Sequence, residues 1–172
     1  MRASIKPLLA QARRGQAHLF VVVAVALVVI AGGTTLAQTD TSLGTWKLNL
    51  AKSKYDPGPP PMSETRVYEA WETDGVKATH TRVQADGTRA TFGFSAHYDG
   101  KDYKYTGSPD YDTIALKRVD ANTTDATLKK GGKVVQTAKV VVSSDGKTRT
   151  VTTTGVNAKG QKINDVLVFD KQ

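Results

Sequence analysis

The sequence predicts an all-β fold, an up-and-down antiparallel meander of about 8–10 strands that closes into a barrel. Three observations carry this expectation. Asp-Gly or Gly-Gly pairs recur at Asp74-Gly75, Asp86-Gly87, Asp99-Gly100, Gly131-Gly132 and Asp145-Gly146. Such pairs mark hairpins because tight turns require positive φ. The runs between them are rich in Thr, Val and Tyr, and none has a helical period. The runs also follow one another closely, so neighbours in sequence should be neighbours in the sheet. A meander this long leaves exposed edges unless it curls shut, which favours closure.

Residues 1–37 read as a signal peptide to be set aside before the fold is considered. Arg2, Lys6, Arg13 and Arg14 form its positive end, and the apolar run Leu19 to Ala31 follows. Thirteen residues are short for a membrane span and suit a signal-peptide core. Thr35-Leu36-Ala37 offers a small-residue cleavage site, which makes Gln38 the new N-terminus. An uncleaved anchor is the alternative, and Arg13-Arg14 leaves the general and twin-arginine export routes both open. The expected destination is the periplasm or the exterior, with no stable membrane anchor after cleavage.

The remaining 38–172 make one domain, large enough to bury a core. The chain has no cysteine, so neither disulfides nor zinc-thiolate chemistry is available to it. Four of the 24 basic residues belong to the leader, leaving 20 against 16 acids and a net charge of +4. A mild charge spread along the chain indicates a solvated surface, not a nucleic-acid site.

The first strand, "TWKLNL", carries Trp46 two places after Gly44. "AKSKYDPGPPPM" follows; its prolines fix φ and remove donors, so a long extended loop is expected there. The next runs are "ETRVYEAWET", "VKATHTRVQ", "TRATFGFSAHY" and "KDYKYTG". Two-residue loops at Asp86-Gly87 and Asp99-Gly100 would set Phe92 opposite Thr81 and Phe94 opposite Tyr105. Alternation then collects Tyr68, Phe92, Phe94, Tyr103 and Tyr105 on an inner, aromatic face. Glu69, His80, Arg82, Ser95, His97, Asp102 and Lys104 fall on the solvent side. Trp71 also falls outside, which calls for a bulge or a covering loop. In the later hairpin Val134, Ala138, Val140, Val142 and Val151 share a face with Arg149, an inward charge or a rim residue.

The Gly44-Thr45-Trp46 motif with "KL" after it, the meander and the final "VFDKQ" resemble the calycins, the superfamily of lipocalins and fatty-acid-binding proteins. The likeness is greatest to small bacterial exported lipocalin-like proteins of unassigned function. It implies that Trp46 plugs one end of the barrel, under a basic side chain from the last strand, here Lys171. Two departures matter. The proline-rich loop replaces the helical lid of the fatty-acid binders. Their Arg-x-Tyr carboxylate clamp on the last strand is absent, its positions being held here by Leu167 and Phe169, so fatty-acid binding does not carry over.

Catalytic signals are weak. His80 and His97 are expected about 13 Å apart on the outer face, too far to share a metal. Asp110 and Asp112 read as turn residues. "YDGKDYKYTG" interleaves Lys and Tyr, but alternation separates them onto two faces. The expected function is therefore non-catalytic: a barrel that holds a small hydrophobic or amphipathic ligand, with Tyr68, Phe92, Phe94, Tyr103 and Tyr105 as walls and Arg149 as polar anchor. No cofactor and no metal are implied, and the oligomeric state is left open. The alternative is a structural or interaction protein with a filled interior, meeting partners through its outer loops.

Overall fold

The computed structural model describes residues 40–172; the predicted signal peptide lies outside the described residues. Ten strands follow in chain order: β1 Gly44–Leu48, β2 Ser63–Trp71, β3 Gly75–Val83, β4 Arg89–His97, β5 Tyr103–Thr106, β6 Thr113–Arg118, β7 Thr123–Lys130, β8 Lys133–Val142, β9 Thr148–Val156 and β10 Lys162–Lys171. Each pairs antiparallel with the next, and β1 pairs with β10, closing the barrel. Closure leaves no strand edge unpaired, as the turn pattern anticipates. Among the described residues there is no α-helix. The proline-rich connection opens with one 3-10 turn, Leu50–Lys52, capped by the Asn49 side chain.

The turns decide which face each strand shows. Gly131 and Gly132, with φ of 54° and 77°, make the expected two-residue loop between Lys130 and Lys133. The β4–β5 register also holds, with Phe94 opposite Tyr105. The turns on either side of β3 differ from expectation. Between β3 and β4 the backbone closes at Gln84 and Thr88, leaving three residues in the loop, with Gly87 at φ 84°. Asp-Gly serves a three-residue loop as readily as a two-residue one, with Gly in the left-handed position. Phe92 consequently faces His80, not Thr81. The β2–β3 turn also holds three residues, between Trp71 and Gly75. A slip by an odd number of residues turns a strand over. Both slips act on β3, so β3 alone is reversed and β2 keeps its expected face.

Val76, Ala78, His80 and Arg82 therefore point inward, correcting the placement of His80 and Arg82 on the solvent side. The two histidines do not share a face. Val134 is a second correction: a register shift at Leu128/Lys129 leaves it exposed, while Ala138, Val140, Val142 and Val151 stay inside with Arg149. Trp71 is outside as expected, but without a bulge, since β2 and β3 pair continuously. Its ring lies over Gly75, where a Cβ would come within 2.8 Å of the indole. His97 and Tyr103 cover it, with ring centroids 4.8 and 6.5 Å away.

Trp46 is the residue that the resemblance casts as a plug. It is wholly buried, and its Nε1–H donates to the Ser42 carbonyl at 3.1 Å. The Lys171 ammonium stands 5.1 Å from the indole centroid and donates to the Thr41 carbonyl. The expected basic cover is therefore in place. Gly44, at φ +111°, explains the first position of the motif, since a Cβ there would press within 3.2 Å of the Lys171 stem. The plug combines a large apolar surface with one satisfied N–H.

Candidate ligand cavity

A cavity of about 170 Å³ runs inside the barrel. Tyr68, Phe92, Phe94, Tyr105 and Arg149 all line it, as the sequence predicts. Tyr103 does not. Its ring packs against Trp71 and His97, and its hydroxyl donates to Asp99, so it belongs to the outer aromatic cluster. The β5 ladder explains this departure. β5 pairs with β4 only at Tyr105 and Thr106 and with β6 only at Tyr103 and Lys104, so no residue of β4 carries the alternation of Tyr105 on to Tyr103.

The inner surface of β2 and β3 carries a block of charge. Glu64 lies opposite Arg82, and Arg66 lies opposite His80. Both arginines donate through Nε to Glu64, at 2.6 and 2.7 Å, one to each carboxylate oxygen. Glu64 is 1% exposed. Burial pushes its carboxyl up, but Arg66 and Arg82 outweigh this and hold it below the ordinary value. Burial opposes the charge of Arg66 as well, and Glu64 more than offsets that, leaving Arg66 above the usual arginine value. The pair stays ionised because each partner supplies what water would have given.

His80 sits beside this block at 6% exposure. Burial, then Arg66, Arg149 and Arg82, press its pKa well below the ordinary value, so the ring is neutral. Its Nδ1 lies 3.2 Å from the Tyr105 hydroxyl, while Nε2 has no hydrogen-bond partner. Phe94 meets the ring edge-on at 6.1 Å.

Arg149 enters from β9 and stacks over Tyr68, 3.7 Å from its centroid. One terminal N–H donates to the Ser42 carbonyl, and Nε is unpartnered. No carboxylate pairs with it among the described residues, and burial lowers its pKa. A buried cation facing an aromatic ring retains part of the stabilisation that water would give.

The remaining wall, from β6 to β9, is mainly aliphatic, with Leu116, Leu128, Ala138, Val142 and Val151 facing the cavity. Asp110 lies at the other end, in the β5–β6 connection, where its carboxylate accepts from Ala158 N–H at 2.7 Å. Asp112 accepts from Gly131 N–H. Their carboxylates thus tie the β5–β6 connection to the β9–β10 and β7–β8 turns, where local turn chemistry was expected. Among the described residues no three His, Cys, Asp or Glu side chains gather in a way that could hold a metal ion.

Sequence reasoning passed over Glu64 and Arg66, although a signal was present. In "ETRVY", Glu64, Arg66 and Tyr68 alternate, so an inward Tyr68 implies two inward charges. No protein-family model matches the chain, and no curated protein sequence matches it.

Proposed function

We propose that the protein is an exported calycin-like barrel that holds one small amphipathic molecule and performs no chemistry on it. The observation that carries this reading is the cavity inside the barrel, lined by six Phe and Tyr rings, an aliphatic wall and buried polar groups lacking partners. Ligand sites are commonly concave and mostly apolar, with a few polar groups that fix orientation. The cavity's size limits the ligand. An apolar protein cavity of about 150 Å³ is filled by a benzene-sized molecule. A single-ring compound fits such a space, and a long-chain fatty acid does not. The leader supports export, and the Gly44–Trp46–Lys171 arrangement supports the calycin resemblance.

The test is native mass spectrometry on protein purified gently from cells expressing the full chain, before and after solvent extraction. The expected result is a reproducible added mass, below a few hundred daltons, that leaves on extraction. An extracted barrel that binds no member of a panel of single-ring and short-chain compounds would sink the proposal. Phe94→Ala in a folded barrel should weaken binding by at least about tenfold.

One observation favours a second reading, a filled barrel with partners at its loops. Many ligand pockets span roughly 300–1,000 Å³, well above this cavity. The aromatic side chains also pack on one another, with Tyr105 and Tyr111 at 4.7 Å between centroids. On that reading extraction changes nothing, and the proline-rich segment Asp56 to Met62 becomes the surface to test for partners.

A further inference from the structure

The cavity carries more cationic groups than the protein itself answers. Arg66, Arg82 and Arg149 reach into it, and Glu64 is the one carboxylate that pairs with any of them among the described residues. Arg118 also lines it, but Asp40 holds that guanidinium at 3.0 Å, near the Trp46 end. Asp110 lines the opposite end and accepts from a backbone amide there. Arg66 and Arg82 use Nε for Glu64, and their terminal nitrogens make no hydrogen bond to a protein acceptor among the described residues. The adjacent His80 Nε2 is likewise unpartnered, on a side chain 6% exposed. A planar guanidinium fork with free terminal N–H groups matches a carboxylate in shape and charge. Excess buried positive charge of this kind is costly until an anion meets it.

We propose that the ligand is a compact organic monocarboxylate with a single ring or a short branched chain, its carboxylate on Arg66 and Arg82 beside His80. This rests on the ligand-holding reading and narrows it. Arg149 adds positive potential without a competing acid. The facing aliphatic wall of β6–β8 receives the apolar body, which a bare inorganic anion would leave against water. The anion partners lie on β2 and β3; Phe169 of the last strand lies under the Arg66 guanidinium, 4.3 Å from ring centroid to carbon, and offers it no polar atom.

Calorimetric titration of the extracted protein, prepared from the full chain, tests this with four probes: benzoate, its neutral isostere benzamide, the apolar ring compound toluene, and inorganic phosphate. Benzoate is expected to bind, with both neutral compounds at least about tenfold weaker. Excess phosphate should fail to displace it. Equal binding of benzoate and toluene would overturn the anion inference and leave the ligand-holding reading standing. Phosphate binding that excludes benzoate would assign the site to an inorganic anion instead. No binding by any of these probes or by the wider compound panel would remove both. Glu64→Gln adds an independent arm. It withdraws the protein's own anion, so benzoate should bind several-fold tighter while toluene is unchanged. Unchanged benzoate affinity in a folded E64Q barrel would also count against the assignment. Should E64Q not fold, the isostere comparison decides alone.

Discussion

The two sides of the cavity are made of different materials. The β2–β3 side holds Glu64, Arg66, His80 and Arg82, whose polar groups satisfy one another only in part. The β6–β8 side holds Ile114, Leu116, Ala126, Leu128, Ala138 and Val142, which require nothing but contact. Burying apolar side chains is favourable in proportion to area, and a modest loss leaves a modest gap. Burying ions is favourable only while every partner stays in place. The barrel is held together mainly by its aliphatic side, while the charged side, where the proposed ligand would bind, contributes ions whose burial is costly unless they are paired.

The comparison is broken most severely at Glu64. Glu64→Ala leaves two guanidinium groups inside without their carboxylate and should cost about 3–5 kcal/mol, read by urea unfolding. A loss below about 1 kcal/mol would mean that water reaches the pair and that the two sides are not so different. Leu128→Ala probes the aliphatic side and should cost about 2–4 kcal/mol, because the wall can relax toward the cavity but does not refill it. It should also admit larger ligands, which titration with a series of bulkier carboxylates would show.

The third effect separates the sides by pH. His80 has a folded pKa below its unfolded value near 6.5, so the unfolded chain binds the extra proton. Stability is therefore full above that value and falls as pH drops below it, with a slope of at most about 1.4 kcal/mol per pH unit. Glu64, also depressed, gives stability that is present above its unfolded value near 4.5 and is lost at still lower pH. Denaturation midpoints from pH 7 to pH 5 should drift downward, and His80→Gln should flatten the drift. The smallest effect belongs to the outer surface. Lys77 and Glu69 sit 3.8 Å apart with more than half of each side chain exposed, so Lys77→Ala should shift stability by less than about 0.5 kcal/mol.

Strand number, strand order and closure were legible in the sequence because each depends on repeated local signals: turn pairs, β-rich runs and the absence of helical period. The inner faces of β2, β4 and β5 up to Tyr105 were legible through alternation. Reading β3 failed for a specific reason. At Asp86-Gly87 the pair announces a turn but not whether two or three residues span it, a register error of one; at Asp74-Gly75 the loop is residues 72–74 with Gly75 already in β3, a register error of three. Each odd shift turns His80 and Arg82 to the other face. The misreadings at Asp74-Gly75 and Asp86-Gly87 cancelled, so Tyr68 and Phe92 were placed correctly on either side of a reversed strand. Val134 was lost to the shift after Leu128, which no turn residue marks. Tyr103 was lost because β5 is too briefly paired to enforce its alternation. Glu64 and Arg66 followed from β2 alternation alone, but they run against the expectation that charged residues lie outside; Arg82 needed the corrected face of β3.

The pairing of β1 with β10 also sets an order of events. Trp46 lies across from Lys171, so the strand bearing the plug has its second neighbour in the last stretch of the chain. A polypeptide that emerges N-terminus first cannot complete this ladder until Lys162–Lys171 is free. Until then β1 has β2 on one side and an open edge on the other, and the seat of the indole is unfinished. Closure is thus a late, long-range step of the kind that slows folding. Under the proposed export as a thread, that delay would keep the barrel from locking before the whole domain has passed.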